Sequence, residues 1–224
     1  MQGENLVRAD EGALAAVSDP AGPVISDTGG AGTQAEVCAA LAGVLADGAD
    51  VHRTLAARAL GQIGDPSTAD CLVRALLDED EDVRTDAAAA LGLLADPDTA
   101  DRLMDNLLGD PCHEVKMAAI EALVALRHQP LVPWLRRLAR SRDEDVVWDE
   151  DAFYQDGWDD WLDVQLAAID GLAAFGAEEA VPDIEAAIGD EFGQDLTEYG
   201  FRALGRLGVP GIAALGRYLE TPDE

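Results

Sequence analysis

Apolar and small residues return along this chain at spacings of four, four and three, as in Val83, Ala87, Leu91 and Leu94, and again in Val115, Ala119, Leu123 and Leu126. That rhythm places them on one face of an α-helix. Each such stretch is followed by a break and a second apolar segment, carrying Leu72 and Leu76, Leu103 and Leu107, Trp134 and Leu135, Ile184 and Ile188, or Leu215 and Leu219. The pattern predicts helical hairpins. The breaks read Gly64-Asp65-Pro66, Ala95-Asp96-Pro97, Gln129-Pro130, Gly176 and Gly208-Val209-Pro210. Glycine tolerates the left-handed conformation at a helix end, and proline opens the next helix because its missing N–H is not needed there. A carboxylate precedes most first helices (Asp82, Glu114, Asp163 and Asp195, with Asp50 two residues ahead of His52), where it is expected to cap backbone N–H groups.

The first helices start at His52, Val83, Val115, Val164 and Leu196, at intervals of 31, 32, 49 and 32 residues. Self-similarity at this period is the signature of a solenoid, whose stacked units share one continuous core. The segment from Gln34 to Asp50 reads as a lone helix capping the N-terminal end of the array. Before it, residues 1–33 hold Asp19-Pro20, Pro23 and the run Asp27-Thr28-Gly29-Gly30-Ala31-Gly32-Thr33, which is turn and linker chemistry. A flexible arm is expected there, with a short helix around Glu4 to Val17.

The motif D-V-R-x-x-A-A-x-A-L-G followed by D-P-x-x-A-x-x-L-x-x-L-L, clearest in Asp82 to Leu108, resembles the short HEAT-like repeat named after the phycobilin lyases. The resemblance covers Gln34 to the C-terminus. It implies an all-α, right-handed α-solenoid of about five HEAT-like helical hairpins plus an N-terminal capping helix. It also implies that the base after the leading valine (Arg84 and Lys116, with Arg53 aligned) pairs with a carboxylate of an adjacent repeat. Gln165 and Thr197 replace that base in the last two copies. Related repeats serve chromophore lyases, phycobilisome-degradation factors and adaptors, so the fold alone does not select a function.

Composition narrows the choice. Forty-five Asp and Glu against 15 Lys and Arg give a formal charge of −30, with Lys116 the only lysine. So negative a surface repels phosphate backbones and favours a basic partner, while also being the solubility device of an acidic, salt-tolerant proteome. Cys38, Cys71 and Cys112 are odd in number and lack metal-ligand spacing, which points to a reducing compartment. The acidic N-terminus does not read as a signal peptide, and no stretch approaches the ~18 apolar residues of a membrane span. A cytoplasmic protein without nucleic-acid or membrane partners is the expectation.

The interval of 49 exceeds its neighbours by 17 residues, and the excess lies at Ser141 to Asp163. That insertion holds ten carboxylates together with Trp148, Phe153, Tyr154, Trp158 and Trp161. Insertions in solenoids map to loops on one face, and Trp and Tyr are favoured interface anchors. The expected partner-binding set is therefore Trp148, Asp149, Asp151, Phe153, Tyr154, Trp158 and Trp161, joined by Trp134, Arg136 and Arg137 from the preceding second helix. The competing reading is a local plug, in which the rings fold back over neighbouring helices and the acids are merely solvated. Trp158 to Trp161 also reads as a backward extension of the next helix, capped by Asp156.

Other chemistry is poorly provided for. Asp149, Asp151 and Asp156 offer oxygens to calcium, but Phe153 and Tyr154 stand where a calcium loop needs a ligand and a glycine. His113-Glu114 is similar to the His-Glu motifs of HEAT-fold deoxyhypusine hydroxylases, which need several such pairs where this chain has one. The string Gly30 to Ala35 matches a dinucleotide fingerprint without the strand that must precede it, and reads as linker. No cofactor, metal or catalytic set is expected. The non-catalytic scaffold or adaptor reading leads, and the alternative implied by the resemblance is a lyase-related protein that attaches, removes or carries a tetrapyrrole.

Overall fold

The computed structural model describes residues 31–149, 161–190 and 195–220. Phe153, Tyr154 and Trp158, with Asp151 and Asp156, lie outside the described residues, as does the arm before Ala31. Among the described residues there are eleven α-helices and no strand. After α1 (Ala31–Asp47), five hairpins follow: α2 (Asp50–Ile63) with α3 (Ala69–Ala75), α4 (Glu81–Leu94) with α5 (Ala100–Gly109), and α6 (His113–Ala125) with α7 (Val132–Arg140). The last two pair α8 (Trp161–Phe175) with α9 (Val181–Ile188), and α10 (Thr197–Arg206) with α11 (Gly208–Glu220). The helical solenoid read from the periodicity is therefore the observed architecture.

The breaks work as their residues dictate, but the expected caps do not: Asp50, Asp82, Glu114 and Asp163 all lie inside the first turns of their helices. Gly64 and Gly176 adopt φ of 71° and 68°, and Ala95 is forced to 53° where the same station lacks glycine. Asp65 and Asp96 then accept the N–H of Ser67 and Asp98, so each Asp-Pro pair starts a single 3-10 turn leading into the second helix. The carboxylate that caps α4 is Asp80, accepting from Val83 N at 3.2 Å; Asp82, expected in that place, sits in the first turn instead. The helix starts two residues earlier than the apolar periodicity alone indicates.

Two layers result. First helices touch in succession, α2 to α4 to α6 to α8 to α10, and each second helix leans on the first helix of the next hairpin. Small residues make the first layer close: a Cβ at Gly61 would lie 2.7 Å from Ala90 Cα, and one at Gly92 would lie 2.9 Å from Ala122 Cα. Between the layers Leu60, Leu72, Leu91, Leu103, Leu123 and Leu135 form a continuous buried core. Each contributes on the order of 2 kcal/mol by removal from water.

A polar ladder ties the junctions. Arg53 grips Asp78 through two bonds of 2.9 and 2.7 Å, and Arg84 grips Asp110 through two of 2.6 and 3.0 Å. Each base thus clamps the loop that leaves its own hairpin for the next one. Where the base is lost, Gln165 donates to Ala139 O at 2.9 Å and still bridges two hairpins. Lys116, the next station after Arg84, breaks the pattern.

Candidate functional site

Lys116 is fully buried, and its ammonium donates backward to the carbonyls of Leu107 (3.2 Å) and Asp110 instead of forward to a carboxylate. Burial pushes its pKa down to about 8, against a weaker upward pull from Asp110. The carboxylate that the ladder would supply, Asp143, is taken by Arg137 through two bonds of 2.6 Å. The regular array is interrupted at this rung, where the insertion begins.

The insertion's first residues fold onto that rung. Val146 is buried in the core, and Val147 N donates to Leu108 O at 2.8 Å. Trp148 donates its indole N–H to Asp143 O at 2.9 Å, with its ring centroid 5.3 Å from the Lys116 ammonium and 5.1 Å from the Arg142 guanidinium. An aromatic face in that range attracts a cation, more strongly when water is excluded. Trp148 is thus half-buried against the core and closes a buried lysine. Residues 143–148 thus fold back on the neighbouring helices with Asp143 and Asp145 paired to Arg137, whereas Asp149 is exposed.

The neighbouring residues expected to contribute are brought together around the same base. Trp134 is half-buried on α7, and the Arg137 guanidinium stacks 4.5 Å from its ring centroid while also reaching Asp145 at 2.5 Å. Arg136 bonds Asp183 at 2.5 Å, joining α7 to α9, and Arg140 reaches the same carboxylate at 3.3 Å. Both Arg136 and Arg137 keep about two-fifths of their side chains exposed, 40% and 42%. Trp161 opens α8 and is half-buried. Four arginines between 136 and 142 with no acid among them form a basic strip immediately before the acidic run.

The remaining candidates take quieter roles. Burial, then a bond from its thiol to Glu114 Oε2 at 2.9 Å, push Cys112 up to about 12, so it stays a protonated thiol. His113 Nδ1 lies 3.1 Å from Glu114 Oε2, with Nε2 3.8 Å from Asp163. Among the described residues no three His, Cys, Asp or Glu side chains are placed to hold a metal ion. Ala31 to Thr33, assigned to linker from sequence, form the first turn of α1. No described helix is long and apolar enough to cross a membrane.

One feature escaped the sequence reading. On the first-helix layer a groove of about 480 Å³ runs between α6, α8 and α10, lined by Ile120, Glu121, Asp170, Arg202 and Arg206. Arg202 reaches Asp170 at 3.4 Å across it. The available signal was the station two residues before the repeat's leucine, which is polar in four of the five copies (Arg58, Glu121, Asp170 and Arg202) and Ala89 in the second.

Comparison with known proteins agrees with the fold. HEAT repeats match residues 37–123, and the PBS lyase HEAT-like repeat matches residues 164–190. The structure of the complex of CpcE and CpcF of phycocyanin lyase from Nostoc sp. PCC7120 is similar, with 21% identity, a TM-score of 0.58, and coverage of 95% of this chain and 77% of that one. An engineered protein matches with a TM-score of 0.46 at 21% identity, covering 84% of this chain and 90% of its own. Human deoxyhypusine hydroxylase matches with a TM-score of 0.35 at 20% identity, covering 83% and 79% respectively. No curated relative matches the sequence.

Proposed function

For a chain built of HEAT-like repeats, we propose a non-catalytic scaffold or assembly factor that recognises a partner protein with a basic surface through the insertion and the adjoining edge of α7. The observation that carries this reading is the anchored base. Val146 and Trp148 fix residues 143–148 to the array, and Asp143 and Asp145 bind Arg137 of α7, so the start of the acidic and aromatic insertion is held against that helix. Carboxylates there set orientation and association rate, and Phe153, Tyr154 and Trp158 supply the affinity. The repeat array holds the site.

The base and the tip separate experimentally. A triple variant Phe153→Ser, Tyr154→Ser and Trp158→Ser is expected to weaken a partner identified with the intact chain by about 100-fold or more, since anchor residues contribute roughly 2 kcal/mol each. Its circular dichroism and melting temperature should match the parent. Unchanged affinity in the folded triple variant sinks the assignment. Trp148→Ala is expected to lower both the melting point and the affinity, because it releases the base from the array.

A second reading is favoured by the PBS lyase HEAT-like match at residues 164–190 and by the fold shared with the phycocyanin lyase complex. It is a tetrapyrrole-handling protein whose groove receives a bilin. Adding a bilin to the purified chain then shifts the pigment's visible absorption; an unchanged spectrum at saturating protein removes this reading.

A further inference from the structure

Leu77 is the most exposed large apolar side chain among the described residues, at 85%. A single exposed leucine is ordinary on a protein surface. This one lines two grooves at once. On its α1 side a groove of about 320 Å³ runs past Ala42, Ala46 and Arg74, and on its α5 side one of about 470 Å³ runs past Asp105, Gly109 and Pro111. Asp78, next in sequence, also lines both.

The following hairpin shows how this station is used. At an offset of 31, Leu76 and Leu77 become Leu107 and Leu108, and there the chain covers itself. Val147 donates its N–H to Leu108 O at 2.8 Å, Val146 is buried, and Leu108 is half-buried against the core. The covering residues belong to the long connection after α7. The connection after α5, Asp110 to Cys112, has only three residues, so Leu77 stays open.

Charge selects what fits the open station. Arg53 and Arg84 neutralise Asp78 and Asp110 within the groove. Asp105, on the α5 wall, is 72% exposed and meets the equally open Arg102 at 3.4 Å. Glu79, beside Asp78, is 90% exposed and 3.7 Å from Arg53. Carboxylates free to turn toward a ligand thus stand next to an apolar wall, and they favour a basic occupant over an acidic one.

We propose that Leu77 and the groove between α3 and α5 seat an extended segment of a partner protein, an adjacent pair of β-branched or aromatic residues flanked by arginine or lysine. The segment repeats at Leu77 the seat that Val146 and Val147 take at Leu108, and a flanking base meets Asp105. This surface lies on other hairpins than Trp134 to Arg137 and does not depend on what the insertion binds.

Fluorescence anisotropy with the labelled peptide Arg-Arg-Val-Val-Trp-Arg-Arg tests it, at physiological salt so that distant charges are screened. The full chain is expected to bind the peptide saturably. Leu77→Ser, at a position too exposed to matter for folding, should weaken binding about 10-fold or more, the loss of one buried leucine contact. Asp105→Asn should weaken it about 2- to 5-fold, the size of an exposed ion pair. Peptides with serine in place of the three apolar residues, or glutamate in place of the arginines, should not saturate the chain. Equal affinity for the serine peptide overturns the proposal, because attraction to a chain of charge −30 then explains the binding. An absence of binding to the parent chain overturns it as well. So does affinity that survives Leu77→Ser but is lost in the Phe153, Tyr154 and Trp158 triple variant, since the peptide then sits on the insertion.

Discussion

Gly92→Ala lowers stability, by up to about 2 kcal/mol, although alanine is the better helix former. Propensity alone favours the change by about 1 kcal/mol. The new Cβ, however, lands 2.9 Å from Ala122 Cα and 3.0 Å from Ala122 Cβ, in the seam where α4 meets α6. The obstacle is largely backbone, so no side-chain rotation relieves it, and overpacking of this kind costs about 1–3 kcal/mol. Gly92→Leu drives the two helices apart and is expected to cost more than about 3 kcal/mol, the upper end of that range. Gly43→Ala in α1 is the control: nothing lies within 4 Å of its Cβ, so the propensity gain appears in full. Urea denaturation reads all three. Because α4 lies mid-array, the wedge should also lower the denaturant slope as the halves lose their coupling.

Lys116→Ala is expected to cost about 3 kcal/mol at pH 7, because it empties a buried site and strips the Leu107 and Asp110 carbonyls of their donor. Lys116→Met keeps the volume of the stem, relieves the buried charge, and loses much less. The pH profile gives the lysine its signature. With a folded pKa of about 8 against the ordinary 10.5, the unfolded chain holds more protons between those values, so stability rises with pH through that window. From pH 8 to 9 the rise is about 1 kcal/mol. Above 9 Cys112, held up to about 12 in the fold, acts in the opposite sense: the unfolded chain loses its thiol proton first, which offsets the lysine's rise to about pH 10 and lowers stability beyond it. Guanidinium titrations at pH 7, 8, 9, 10 and 11 should show the rise, a plateau between about 9 and 10, and the fall beyond it in the parent. Lys116→Met should abolish the rise, and Cys112→Ala should remove that thiol's contribution to the fall.

How much of this was legible in the sequence depends on what each residue's neighbours are. The hairpins were legible because a period near 32 and the Asp-Pro breaks are local signals, and local signals decide where a helix starts, stops and turns its apolar face. Even there Asp80, not Asp82, caps α4, since the cap is set by where the backbone leaves the extended conformation. The ladder bases Arg53 and Arg84 were legible as a repeated station. Lys116 sat at the same station and behaves differently, because Arg137, from the following second helix, takes Asp143 and leaves the lysine to backbone carbonyls. No pattern within one repeat encodes that competition. The insertion was visible as a broken interval, yet the anchoring of its first residues depends on a contact between Val147 and Leu108, nearly forty residues earlier in the chain. Arg136 and Arg137, read as a candidate recognition pair, turn out to be held by Asp183, Asp143 and Asp145, which also sets their geometry.

The interruption of the array is the centre of the functional account, and a footprint of the bound partner tests it most directly. Hydrogen exchange is measured on the chain alone and with its partner at saturation. The account predicts that new protection concentrates in residues 149–161 and in Trp134 to Arg137, with the faces of α2 and α4 unchanged. Protection confined to the groove at Glu121, Asp170, Arg202 and Arg206, with none in the insertion, would contradict it.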